Sequence, residues 1–287
     1  MEYKKLSYHK ILIFFAVFII FTLISGCGGT IIEPFGTIDI NSTPSGTRVY
    51  LDGVDTGQAT PTIFNNVGVG EHTVRLSLFH YKDWEGIITV VAEQTTYLNA
   101  LLIWSPVDTI TIQPGGTDGK DAEVDNLNPT VNYGYSIYLD AGTDNNDILR
   151  SYLQFDLSSV PPDAVILDAN LGLYFKGIYI IPYLPTQLGL YEVTESWEEN
   201  TITWDNQPAS STEAEDMQNI TDSLKKDFVY WDIDDLVKGW YDGSITNYGM
   251  VLRDTDESSA DDRIDFCSSG DITASRHPKL IIDYYLP

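Results

Sequence analysis

The chain of 287 residues is short of cysteine, histidine and positive charge, and each shortage removes a class of function. Its two cysteines, Cys27 and Cys267, exclude a disulfide framework. Four histidines are present, and only His277 lies in the C-terminal part. His72 and His80 have no Cys, Asp or Glu at ligand spacing and read as a turn residue and a strand-end residue. No G-x-S-x-G elbow and no H-E-x-x-H pair occurs, so the common nucleophilic and zinc-hydrolase constellations are missing. Sixteen Lys and Arg face 42 Asp and Glu, a net charge of −26. Nucleic acid is thereby excluded as a partner, because phosphate contacts need a basic patch. The excess is concentrated: residues 107–287 carry 33 acidic and 10 basic side chains.

What is present begins with a signal-like N-terminus. Lys4, Lys5 and Lys10 precede a 14-residue apolar stretch, Ile11 to Ile24, too short to span a bilayer and right for the core of an export signal. It ends in Ile24-Ser25-Gly26-Cys27, which resembles the lipobox of prokaryotic lipoproteins. The resemblance implies cleavage before Cys27, lipidation of its sulfur, and a membrane-anchored, extracytoplasmic protein at the cell surface or periplasmic face. Residues 1–26 are then the signal peptide and 27–35 the tether.

Short alternating runs follow: Ile38 and Ile40, Val49 and Leu51, Val74 to Leu78, Ile88 and Val90. Turn chemistry separates them at Pro44-Ser45-Gly46, Asp52-Gly53, Gly68 and Gly70. Ser42-Thr43-Pro44-Ser45-Gly46, Val49-Tyr50-Leu51-Asp52-Gly53, Gly57 with Thr60-Pro61, and Gly70-Glu71-His72 together resemble a PEGA domain over 36–103. That resemblance implies a small β-module serving as spacer or surface-layer contact. Ile103-Trp104-Ser105-Pro106 reads as a linker.

Residues 107–287 carry recurring strand-like runs: 110–112, 136–140, 150–156, 169–176, 187–193, 228–231, 248–253, 263–267 and 279–285. Leu153, Phe155 and Leu157 alternate with Arg150, Tyr152, Gln154 and Asp156. Leu171, Leu173 and Phe175 alternate with Tyr174 and Lys176, and a Pro161-Pro162-Asp163 corner separates the two runs. Ile233, Leu236, Val237 and Trp240 have helical spacing behind Asp232, with Gly243 as terminator. The expected fold is all-β: a small β-domain, then a jelly-roll β-sandwich with one short helix. Gly115 to Ala122, Asn132-Tyr133-Gly134, Arg150 to Leu157, Ala169 to Tyr174, Glu195 to Trp204, Asn247-Tyr248-Gly249 and Pro278-Lys279-Leu280 together resemble the DNRLRE domain, a disaggregatase-related module grouped with carbohydrate-binding modules. The resemblance implies a polysaccharide-binding jelly-roll, often for uronic-acid polymers.

Trp197, Trp204, Trp231 and Trp240 lie in scaffold-like motifs and read as core. The phase opposite the core places Arg150, Tyr152, Tyr174 and Lys176 outward, joined by Tyr138, Tyr191 and Arg253. These are either ordinary outward strand residues or a glycan-binding face in which rings stack and cations pair carboxylates. Asp118, Asp121, Asp140, Asp144 and Asp147 are candidate ligands of a structural Ca²⁺, as are Asp254, Asp256, Asp261 and Asp262, although none follows the EF-hand pattern. Glu195, Glu198 and Glu199 could serve glycoside hydrolysis, yet they flank Trp197 in a scaffold-like segment. The leading expectation is therefore a non-catalytic, surface-anchored polysaccharide-binding protein. A structural protein contacting cell-envelope components stands second, and a polysaccharide lyase or hydrolase third.

Overall fold

A computed structural model describes residues 34–116, 119–144, 146–178, 186–258 and 263–287. Two hydrophobic cores follow one another along the chain. The first belongs to seven strands: β1 (Phe35–Thr43), β2 (Arg48–Leu51), β3 (Val54–Ala59), β4 (Thr62–Gly68), β5 (Gly70–Ser77), β6 (Trp84–Val90) and β7 (Thr95–Leu101). They form a sheet ordered β4-β1-β7 and another ordered β3-β2-β5-β6. Ile38, Ile40, Val49, Val74, Leu76 and Val90, the inward phase of the alternating runs, are buried between them. His72 is not in a turn as expected but in β5, opposite Ile88, because the strand begins at Gly70; its ring lies 2.7 Å from an Asp52 carboxylate oxygen and 2.9 Å from the Gly68 carbonyl.

The second core is larger. Its strands are β8 (Asp108–Ile112), β9 (Lys120–Asp125), β10 (Tyr138–Asp144), β11 (Asp147–Gln154), β12 (Val165–Ile178), β13 (Thr186–Glu192), β14 (Asp216–Ile220), β15 (Phe228–Asp232), β16 (Met250–Asp254), β17 (Ile264–Cys267) and β18 (Lys279–Tyr285). One layer runs β14-β13-β16-β11, with β9 on the far side of β11. The other runs β8-β18-β12, with β15 on the far side of β12. The pair β10–β17 joins the layers. Leu153, Leu188, Leu190 and Leu252 from one layer meet Leu171, Leu173, Phe175, Trp231 and Leu280 from the other, all buried. The Trp231 indole N–H crosses between the layers to the Leu188 carbonyl at 3.2 Å, so the largest core side chain is also hydrogen-bonded.

The Pro161-Pro162 corner turns as expected, with Asp163 at φ 65°. One α-helix, α1 (Asp234–Asp242), packs its Leu236, Val237 and Trp240 into the core. The Asp234 N–H donates to the Asp232 carboxylate at 3.1 Å, and Gly243 ends the helix at φ 78°. Tyr241 pins the helix to the corner, its hydroxyl donating to the Pro161 carbonyl at 2.7 Å.

The two cores meet at an aromatic joint. Tyr285 of β18 lies edge-on to Phe79 at 5.4 Å and 5.3 Å from His80, which stacks on Trp104. The Ser105 hydroxyl donates to the Leu286 carbonyl at 2.6 Å. The expected linker is thus held against the sandwich at this point.

Candidate functional site

The outward phase of the sandwich divides between two sheets with opposite fates. On the β11 side it is covered. The segment between β13 and β14 folds back over it, and Trp197, Ile202, Val193, Tyr152, Tyr191 and Val251 make a second, smaller core there. Tyr152 is 1% exposed, and its hydroxyl donates to Gln207 Oε1 at 3.0 Å. Burial pushes that phenol up to about 12. Arg150 makes a bidentate pair with Glu257 at 2.6 Å per bond and sits over the Trp204 ring at 4.7 Å. Tyr191 is buried with the Arg253 guanidinium 3.9 Å above its ring centroid. The expectation that Arg150, Tyr152, Tyr191 and Arg253 form an open face is therefore corrected. Period-two alternation separates two faces and says nothing about a later segment that covers one of them.

On the other sheet the outward phase is open. Tyr138, Tyr174 and Lys176 are brought together there. The Lys176 ammonium lies 4.1 Å over the Tyr138 ring and 3.3 Å from Asp271. Phe228 and Tyr230 of β15 extend the row, with Tyr174 edge-on to Phe228 at 5.4 Å. Lys279 places its ammonium 3.7 Å over Phe228, and Arg276 covers Tyr174 at 5.1 Å. In register, Lys279, Gly172 and Tyr230 form one row across three strands. A Cβ on Gly172 would come within 2.9 Å of the Tyr230 ring and 3.0 Å of Lys279 Cε, so only glycine lets ring and lysine stem close over the strand. Phe228, Tyr230, Arg276 and Lys279 were missed by sequence reasoning. The signal was available for three of them, since Phe228 and Tyr230 alternate with Val229 and Trp231, and Lys279 with Leu280.

Charge is segregated onto this face. Of the ten Lys and Arg residues of 107–287, Lys176, Arg276 and Lys279 lie over its rings, Lys225 brings its Cε beside Gly177 of β12, and Lys226 is next to it. Lys226 is held there by its N–H bond to the Phe175 carbonyl at 2.8 Å. The other five are engaged elsewhere: Arg150 with Glu257, Arg263 with Asp140, Lys238 with Asp234, Arg253 over Tyr191 and Lys120 over Trp197. Asp168, Asp232 and Asp283 gather at the opposite end of the same sheet. Burial, with the charges of Asp232 and Asp283, raises the Asp168 carboxyl.

The expected calcium ligands do not converge. Asp118 lies outside the described residues, as do Asp261, Asp262 and Cys27. Asp121 accepts from the Ser269 N–H at 2.8 Å, and burial pushes it up to about 6. Asp140 is ion-paired with Arg263, and its N–H donates to Glu123 at 3.3 Å. Burial and the charges of Glu123 and Asp265 push Asp140 up to about 9. Asp147, beside Asp125, is pushed up to about 7 by burial, and Asp144 opposes it across the hairpin. Among the described residues no three His, Cys, Asp or Glu side chains are arranged to hold a metal ion. Arg263 pairs with Asp140 and also lies 3.5 Å from Asp265, so a guanidinium meets these two carboxylates. His277 is buried between the Pro114 and Asp271 carbonyls, at 3.1 and 2.7 Å.

A PEGA domain is found at residues 35–103, and Carbohydrate-binding module family 96 matches residues 116–284, more than half of the chain. No curated protein sequence matches. Among solved structures, the Bacillus anthracis TIE protein is similar at 11% identity, over 82% of this chain and 48% of that one, with a TM-score of 0.20. The chain spans about half the length of that protein, and at that TM-score the likeness informs neither fold nor function.

Proposed function

The chain belongs to carbohydrate-binding module family 96, and from that membership we propose that it binds an anionic, uronic-acid-type polysaccharide without cleaving it, on the outer face of β15, β12 and β18. The observation that carries this reading is the strip Tyr230–Phe228–Tyr174–Tyr138 with Lys279, Arg276 and Lys176 seated over its rings. Aromatic faces take the apolar side of sugar rings, and cations held beside them meet carboxylates. From Gly172 to Lys176 the strand advances about 13 Å at ~3.3 Å per residue, room for more than one sugar ring.

Net charge does not oppose this. Beyond about 8–10 Å the acidic remainder of the surface is screened at ordinary ionic strength, and a bound polymer responds to the cations it touches. In this reading the PEGA domain is a spacer, Cys27 carries a lipid, and the sandwich faces outward from a membrane. The aromatic joint at Tyr285 supports a spacer that fixes the direction of the binding face.

Electrophoresis of the full-length chain through gels containing a polyuronate or a neutral glucan tests it. Polyuronate is expected to retard the chain more than glucan does. An Arg276→Glu/Lys279→Glu variant should lose at least ten-fold in affinity, about 1.4 kcal/mol. Equal retardation by the two polymers, or no change in the variant, rejects the reading.

A further inference from the structure

Three stretches far apart in the sequence meet at one end of the covered sheet, away from the cation–aromatic strip. Lys120 opens β9, Gln154 closes β11 and leads into Phe155 and Asp156, and Asn247 lies in the turn before β16. Together they line a cavity of about 300 Å³. Trp197, from the covering segment, lies under Lys120, with the ammonium 4.7 Å from its ring centroid.

We propose that this cavity is a second carbohydrate site, which takes a single uncharged sugar ring. Its volume is at the lower end of small-molecule sites, so it suits one ring and not a stretch of polymer. Its polar groups are of both kinds. Lys120 donates, while the Asp156 carboxylate and Gln154 Oε1 accept, as a ring of hydroxyls requires. One cation and one anion balance, so a sugar carboxylate gains nothing here that it would not gain on the strip.

The groups are also fixed in advance. Gln154 Nε2 donates to the Asn247 carbonyl at 2.7 Å, and Asn247 Nδ2 donates to the Phe155 carbonyl at 2.9 Å. The Gly249 N–H closes the turn on Asn247 Oδ1 at 3.1 Å, at a φ of 84° that favours glycine. The Trp197 indole is tied to the Tyr248 carbonyl at 2.8 Å. Asp156 is held by the Ser158 N–H and hydroxyl at 2.8 and 2.7 Å, and these bonds keep its carboxyl below the usual range, hence ionised. A site whose side chains are already ordered loses less entropy when a small ligand enters.

Saturation-transfer NMR on the full-length chain in detergent tests this, with glucose, galactose, mannose, xylose and their methyl glycosides as probes and glucuronate and galacturonate for comparison. At least one neutral sugar should bind saturably. Lys120→Met and Gln154→Leu should each weaken that sugar ten-fold or more, while Arg276→Glu/Lys279→Glu leaves it unchanged. Lys120 and Gln154 are half-buried at the rim, and thermal unfolding of each variant verifies that it is folded. No neutral sugar bound, binding that survives both pocket variants, or uronates bound there in preference overturns the proposal. Loss of polyuronate binding in the strip variant, with sugar binding intact, separates the two sites.

Discussion

Asp121→Asn should stabilise the sandwich at neutral pH, against the usual expectation for a buried hydrogen-bonded carboxylate. Asp121 is buried, accepts the Ser269 N–H at 2.8 Å and lies near Glu199, and burial is the largest cause of its rise from 3.8 to about 6. Between about pH 4 and pH 6 the folded chain keeps a proton that the unfolded chain has released. Stability linked to this group is therefore fully present below about pH 4, falls as pH rises to about 6 and is flat above it. At ~1.36 kcal/mol per pH unit the total is about 3 kcal/mol. Asparagine keeps the acceptor oxygen for Ser269 and never ionises. Urea unfolding of the full-length chain at several pH values from 4.5 to 7.5, followed by tryptophan fluorescence, measures the difference. The variant should lie within about 1 kcal/mol of the native chain near pH 4.5 and exceed it by about 1–3 kcal/mol at pH 7.5, this range allowing for the less favourable amide geometry. Asp140 and Asp147, also raised, remain in both proteins and leave a shared residual decline toward neutral pH. A variant less stable than the native chain at pH 7.5, or one with the same pH profile, refutes the reasoning.

Other substitutions separate scaffold from site. Arg150→Met should cost about 3 kcal/mol in thermal or urea unfolding, because Glu257 is left largely buried without its partner. Polyuronate affinity, measured on the folded protein, should not change. Phe175→Ala, which empties the centre of the core, should cost ~3–5 kcal/mol. Gly249→Ala should lose stability by about 1–3 kcal/mol, since it combines a left-handed backbone with a clash against the Leu153 carbonyl oxygen. It should also abolish neutral-sugar binding in the NMR experiment while leaving the strip intact.

Much of the fold is legible in the chain because its information is local. The alternation of Leu171, Leu173 and Phe175, the Pro161-Pro162 corner and the spacing of α1 each act over a few residues. The four tryptophans of the scaffold motifs are core, or packed against it, as read. Two strands escaped. β9 reads Lys-Asp-Ala-Glu-Val-Asp, with acids on the phase opposite Ala122 and Val124, and both phases are buried, so charge hides a strand that lies inside. β14 is an edge strand, Asp-Met-Gln-Asn-Ile, of low strand propensity. The site was half legible. Tyr138, Tyr174 and Lys176 share a face because β10 and β12 flank β17, whereas Arg150 and Tyr152, identical in pattern, are sealed by the segment around Trp197 and Trp204. Which sheet face receives a lid is settled by contacts more than 40 residues apart in sequence, and period-two alternation cannot carry that.

Hydroxyl-radical footprinting of the full-length chain, with and without saturating polyuronate, tests the central claim most directly. Tyr230 and Tyr138, 41% and 36% exposed, should be protected by the polymer along with Phe228 and Tyr174. Tyr97 on the PEGA domain, 69% exposed, should stay as reactive as before. Protection confined to residues outside the strip Tyr230–Phe228–Tyr174–Tyr138, or uniform across the chain, would contradict the account.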